Sequence, residues 1–151
     1  MANKMSNSFV KDIMKNTVIS IDESMTIKDA AQIMTDTKVG CVIITKENAP
    51  VGILTERDFV TKIASNQIPY STLLSEVMSS PLVTISADET LWEAAEIMKT
   101  KKIHKLPVFD EDKLVGLITA TDLVMVISIG SDSSMRQIAD EILIRMRSDK
   151  Y

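Results

Sequence analysis

The chain is poor in the residue types that carry most metal, redox and turn chemistry. Its 151 residues include one cysteine, one histidine and four glycines. A single cysteine excludes an internal disulfide, and together with one histidine it leaves no ligand set for a zinc site. The sequence contains no G-x-x-x-x-G-K-[ST] phosphate loop and no spacing that marks a nucleophile and its base. These absences argue against an enzyme.

Charge and hydropathy exclude further classes. The formal net charge of −4 argues against general attraction to nucleic acid or to an anionic membrane. No hydrophobic run reaches the length of a membrane span, because polar residues interrupt the most apolar stretch, 114–129. The polar N-terminal residues lack the apolar segment of a secretory signal. We therefore expect a soluble, cytoplasmic protein that binds no membrane.

The core has few aromatic residues available to it. Aromatics make up 4% of the chain, whereas hydrophobic residues make up 45% and charged residues 25%. These fractions are ordinary for a soluble globular protein. The core must therefore be built mainly from Ile, Val, Leu, Ala and Met.

An internal repeat at an offset of 64 residues organises the chain. Residues 10–63 align with residues 74–127 without a gap. A tandem of this kind predicts two related units with a seam between them, and a seam is a natural place for a small ligand. The matched residues are Met14 with Met78, Ala30-Ala31 with Ala94-Ala95, Met34 with Met98, Gly52 with Gly116, Thr55 with Thr119, and Asp58 with Asp122.

Each repeat has the pattern of a β-α-β-β-α unit. In the first repeat, a β-branched run at 18–21 predicts a strand, and apolar residues at helical spacing from Ile27 predict a helix capped by Thr26. Two apolar runs around a polar turn then predict a hairpin, and a second helix begins near Thr55. The predicted divisions are a tail at 1–9, a first repeat at 10–64, a linker at 65–73, a second repeat at 74–128, and a region at 129–151 with an amphipathic helix at 131–147.

The repeated motif resembles that of the cystathionine β-synthase (CBS) domain family. It reads Gly52-Ile-Leu-Thr-Glu-Arg-Asp58 and Gly116-Leu-Ile-Thr-Ala-Thr-Asp122, and the strand Leu106-Pro-Val-Phe-Asp110 is also similar to that family. The resemblance implies an α+β fold in which two repeats pack as a pseudo-two-fold pair, followed here by the C-terminal helix. It also implies a homodimer that regulates an unidentified protein target.

The same resemblance implies a ligand that contains adenosine: AMP, ADP, ATP or S-adenosylmethionine, bound in a cleft between the repeats as a regulatory ligand. The aspartates of the motif are then expected to bind ribose, and the threonines or their neighbours ribose or phosphate. Arg57, in the first repeat alone, and His104-Lys105, in the second alone, could contact phosphate. The candidate nucleotide-binding residues are Val39, Gly40, Cys41, Thr55, Arg57, Asp58, Ile103, His104, Lys105, Thr119, Thr121 and Asp122.

A second interpretation needs no ligand. Thr-x-x-Asp is also the pattern with which a helix caps its own N-terminus. The chain would then be a protein-interaction or dimerisation scaffold, with the C-terminal helix as its contact surface. His104 and Arg57 would be solvated surface residues, and Cys41 a small core residue. Nucleic-acid binding is the least favoured class, because the chain is acidic.

Overall fold

A computed structural model of the chain describes residues 9–127 and four further positions, Arg136, Gln137, Asp140 and Ile144, which have helical backbone. The predicted tail at 1–9 and the predicted C-terminal helix at 131–147 fall almost wholly outside these residues. The chain divides into two compact units. The first unit is Val18–Val83, and the second unit joins the residues up to Thr17 to those from Thr84 onward.

The order of the elements follows the repeat. The helix α3 (Glu56–Asp58) continues directly as a π-helix, Phe59–Ala64. Its counterpart in the second unit, α6 (Ala120–Ile127), is α-helical over the residues that the structure describes. In chain order the elements are α1 (Val10–Ile13), β1 (Ser20–Asp22), α2 (Ile27–Thr37), β2 (Cys41–Lys46), β3 (Ala49–Thr55), α3 (Glu56–Asp58), α4 (Leu74–Val77), β4 (Ile85–Ser86), α5 (Leu91–Lys101), β5 (Lys105–Asp110), β6 (Lys113–Thr119) and α6 (Ala120–Ile127).

Each unit contains one three-stranded sheet, in the order β1-β2-β3 and β4-β5-β6. The first strand pairs parallel to the second, and the second and third form an antiparallel hairpin. The register shifts between Ile44 and Thr45 in one hairpin and between Val108 and Phe109 in the other. These positions are equivalent at the offset of 64, so the duplication extends to this local irregularity. The predicted α+β class and the β-α-β-β-α order are confirmed.

The long helix of each repeat covers its sheet with small and aliphatic residues. Thr26 caps α2 by accepting the Asp29 backbone N–H at 3.2 Å, as the sequence predicts. Alanines at the centre of each helix allow it to lie close to the strands. The buried helical residues are Ile27, Ala30 and Met34 in α2, and Leu91, Ala94, Ala95 and Met98 in α5.

The compact units do not coincide with the sequence repeats. The helix α1 opens the first repeat but belongs to the second unit, where the Val10 N–H donates to the Glu89 carbonyl at 2.8 Å. The helix α4 opens the second repeat but belongs to the first unit, where the Leu74 N–H donates to the Met25 carbonyl at 2.9 Å. Val10 and Leu74 are fully buried. Each unit therefore takes its opening helix from the other repeat.

Two glycines allow these exchanged segments to cross the sheets. A Cβ atom on Gly116 would lie 2.6 Å from the Met14 sulfur and 2.8 Å from the Lys15 carbonyl oxygen. A Cβ atom on Gly52 would lie 2.5 Å from the Met78 sulfur. A side chain at Gly116 would press on the backbone of the crossing segment, whereas one at Gly52 would press on the Met78 side chain. Glycine therefore allows the close approach of each segment to the third strand of a sheet.

Candidate functional site

In the first unit, Thr55 and Asp58 form a reciprocal turn where β3 passes into α3. The Asp58 oxygen Oδ2 accepts the Thr55 backbone N–H at 2.9 Å, and the Thr55 hydroxyl oxygen accepts the Asp58 backbone N–H at 3.4 Å. The Thr55 hydroxyl also donates to Oδ2 at 3.2 Å. The Asp58 side chain is only 14% exposed. This carboxylate is thus fixed through Oδ2, whereas Oδ1 takes no part in the turn.

The second unit repeats the turn between β6 and α6. The Asp122 oxygen Oδ2 accepts the Thr119 backbone N–H at 2.9 Å, and the Thr119 hydroxyl oxygen accepts the Asp122 backbone N–H at 3.1 Å. The Asp122 side chain is 10% exposed. The other carboxylate oxygen, Oδ1, takes no part in these turn bonds, and a carboxylate oxygen is an acceptor for hydroxyl donors.

The loop before the middle strand lies beside each turn. The Gly40 carbonyl accepts the Glu56 N–H at 3.0 Å, and the His104 carbonyl accepts the Ala120 N–H at 2.8 Å. These bonds place the predicted residues around Gly40 next to the turn of the first unit, and those around His104 next to the turn of the second unit. The register sets Cys41 opposite Thr55 and Lys105 opposite Thr119, and Val39 and Ile103 precede these loops.

The two turns differ in their surroundings. Cys41 is buried in the core, whereas its counterpart Lys105 is half-buried. Arg57 and Thr121 occupy equivalent positions within the two motifs, and both are exposed. Beside the first turn lie the Cys41 thiol and the Arg57 guanidinium. The equivalent groups beside the second turn are the Lys105 ammonium and the Thr121 hydroxyl.

Two lysines that were not among the predicted site residues lie beside the aspartates of the two turns. The Lys62 ammonium lies 3.9 Å from Asp58 Oδ1, and the Lys15 ammonium lies 3.7 Å from Asp122 Oδ1. At the offset of 64, Lys15 aligns with Ser79 and Lys62 aligns with Val126. The repeat alignment could not reveal them, because the fold supplies the positive charge from a different position in each unit.

A third Thr-x-x-Asp turn has the same bonds in a more exposed setting. Thr26 and Asp29 begin α2, and Asp29 Oδ2 accepts the Thr26 backbone N–H at 2.9 Å. These backbone and hydroxyl donors hold the pKa of Asp29 below its ordinary value. This turn lies outside the predicted site. The same capping bonds therefore occur outside the predicted site, and this turn provides an internal control.

A groove in the first unit lies beside the candidate site but does not contain the carboxylate. Its volume of about 230 Å³ is below the roughly 300–1,000 Å³ of most small-molecule pockets. Val39 is the one predicted site residue in its lining, which consists of Ala31, Met34, Thr35, Val39, Glu56 and Phe59.

Two further features are absent from the part of the chain that the structure describes. Across those residues, no group of three or more His, Cys, Asp or Glu side chains could hold a metal ion. No helix among them is long and apolar enough to cross a membrane.

The chain belongs to the CBS domain family. The sequence pattern of that family matches residues 10–65 and 74–129, once in each repeat and over more than half of the chain. This match confirms the family that the repeated motif indicates, and CBS domain pairs are regulatory modules.

Two relatives and one solved structure show how far the similarity extends. The chain is 32% identical over 118 residues to the CBS domain-containing protein YhcV of Bacillus subtilis, covering 78% of this chain and 84% of YhcV. It is 42% identical over 118 residues to the uncharacterized protein MJ0653 of Methanocaldococcus jannaschii, covering 78% of this chain but only 61% of MJ0653. The CBS domain pair of protein MJ0100, solved in complex with 5′-methylthioadenosine and S-adenosyl-L-methionine, matches with a TM-score of 0.71 and 26% identity, over 80% of this chain and 96% of that one.

Proposed function

We propose that this chain is a regulatory module that binds AMP, ADP, ATP or S-adenosylmethionine at its Thr-x-x-Asp turns. One observation carries the proposal: two equivalent, largely buried carboxylates, Asp58 and Asp122, are each fixed through one oxygen and keep the other out of the turn. The ligands of MJ0100 support an adenosyl compound. In this proposal Asp58 and Asp122 bind ribose, and the threonines and neighbouring loops bind the rest of the ligand.

The proposed output is a change of conformation that a partner protein detects. A ligand shifts a conformational equilibrium only by the difference between its affinities for the two states. The turns are suited to this, because each joins the last strand of a sheet to the following helix. We further propose that the protein is a cytoplasmic homodimer and has no enzymatic activity of its own.

A panel of ligands tests binding directly. A ligand that binds only the folded state adds about 2.7 kcal/mol of stability at a hundredfold excess over its dissociation constant. We expect at least one of AMP, ADP, ATP and S-adenosylmethionine to raise the melting temperature, while inorganic phosphate at equal concentration does not. If none of the four raises it at millimolar concentration, the proposal is wrong.

The alternative function is that of a ligand-free interaction scaffold. The observation in its favour is that Thr26 and Asp29 make the same capping bonds outside the candidate site. In that case all three aspartates stabilise helix ends and nothing more. The panel separates the two functions, because a scaffold gives no melting shift with any adenosyl ligand.

A further inference from the structure

Each proposed ribose carboxylate has a lysine beside its second oxygen, and the two lysines are held differently. The Lys62 ammonium contacts Asp58, donates to the Ser79 hydroxyl at 2.9 Å and lies 3.4 Å from the Val77 carbonyl. Its side chain is 41% exposed. Lys62 therefore ties the π-helix to the segment after α4, and its ammonium is engaged within the fold.

Lys15 has a hydrogen-bonded backbone and an exposed side chain. Its N–H donates to the Leu117 carbonyl at 2.9 Å, and its carbonyl accepts the Leu117 N–H at 2.9 Å. The side chain is 67% exposed and reaches Asp122 at 3.7 Å. Leu117 precedes Thr119 by two residues on β6, so the Lys15 backbone is anchored beside the candidate site.

A bound ligand could replace the contact between Lys15 and Asp122 at little cost in free energy. An ion pair with one solvated partner contributes little to stability. The lysine stem is flexible, and its ammonium is a mobile point charge with three donors. A ligand whose hydroxyls bind Asp122 can therefore engage Lys15 as well, without breaking any backbone bond that holds the segment.

We propose that Lys15 is a specificity-determining residue of the Asp122 site and selects adenosyl ligands that carry a phosphate over those that carry a sulfonium. This inference rests on the proposed function, since it assumes a ligand whose ribose lies on Asp122. A phosphate near the ribose attracts the Lys15 ammonium and forms a charge-assisted hydrogen bond with it. A positively charged sulfonium in that place is repelled.

The test compares AMP, uncharged adenosine and S-adenosylmethionine by titration calorimetry in an Asp58→Asn background, which weakens the first site. We expect Lys15→Gln to weaken AMP binding about tenfold and to leave adenosine within about twofold. The same change should leave S-adenosylmethionine unchanged or tighter. Lys11→Gln is the matched control, because Lys11 lies on the same segment and pairs with the exposed Asp88; it should alter none of the three affinities.

Two results overturn the inference. If Lys15→Gln leaves AMP affinity unchanged, Lys15 does not contact the phosphate. If it weakens AMP and adenosine equally, Lys15 acts through the position of Asp122 and not on the charge of the ligand. If the wild-type protein binds none of AMP, ADP, ATP and S-adenosylmethionine, the proposed function itself fails, which is a distinct result.

Discussion

At the scale of single residues, the same hydrogen-bonded Thr-x-x-Asp turn occurs at three positions of the chain. Asp29, Asp58 and Asp122 each accept the backbone N–H of the threonine three positions earlier at 2.9 Å. What differs is the environment: Asp29 is exposed, whereas Asp58 and Asp122 are 14% and 10% exposed and have a lysine beside Oδ1. Burial, and not the cap itself, distinguishes Asp58 and Asp122 from Asp29.

The exposed turn predicts a dependence of stability on pH. The pKa of Asp29 is lowered in the folded protein. Its stabilising effect is therefore complete above the unfolded pKa and is lost as the pH falls through the folded one. We expect the melting temperature to decrease below about pH 4, and Asp29→Asn to lower it at neutral pH while making the acid decrease shallower. Thermal melts followed by circular dichroism measure both, and parallel curves for the two proteins would contradict the prediction.

At the scale of elements, the segment that follows the first helix of each repeat packs on the sheet that contains the glycine of the other repeat. Met14 lies on Gly116, and Met78 lies on Gly52. The offset alignment matched methionine with methionine and glycine with glycine, yet it did not indicate that each methionine contacts the glycine of the other repeat. Long-range pairing of that kind has no local signal.

The two glycines should respond differently to an added methyl group. Gly116→Ala meets the Lys15 backbone carbonyl as well as Met14, whereas Gly52→Ala meets only side-chain atoms of Met78 among its nearest neighbours. A flexible methionine can move aside. We expect Gly116→Ala to lower the free energy of unfolding by about 1–3 kcal/mol and Gly52→Ala to lower it less. Urea denaturation measures both, and a larger loss for Gly52→Ala would contradict this account.

The sequence predicted the elements well where periodicity or capping was strong. Helices α2 and α5, both hairpins and the helix starts at Thr55 and Thr119 follow the expected pattern. The four-residue helices α1 and α4 were missed, because one turn is too short for a helical period to appear. The first strand was predicted at 18–21 and lies at Ser20–Asp22. The hairpin strands extend beyond the predicted apolar runs and include terminal polar residues such as Lys46 and Lys113.

At the scale of the whole molecule, the sequence repeats and the compact units are different divisions of one chain. The family pattern matches 10–65 and 74–129, whereas the chain compacts as Val18–Val83 and the remainder. The exchange brings Lys15 from the start of the first repeat to Asp122 near the end of the second. A ligand at Asp122 would thus act on residues from both repeats, which suits a module whose proposed role is to report binding.

The central claim is that Asp58 and Asp122 bind an adenosyl ligand. The most direct measurement is calorimetric titration of the wild type, the double variant Asp58→Ala/Asp122→Ala and the control Asp29→Ala with AMP and with S-adenosylmethionine, each protein first shown to be folded by circular dichroism. We predict that the double variant loses affinity about tenfold or more, while Asp29→Ala, which removes an equivalent cap, binds as the wild type does. Wild-type affinity in the double variant, or an equal loss in Asp29→Ala, would contradict the claim.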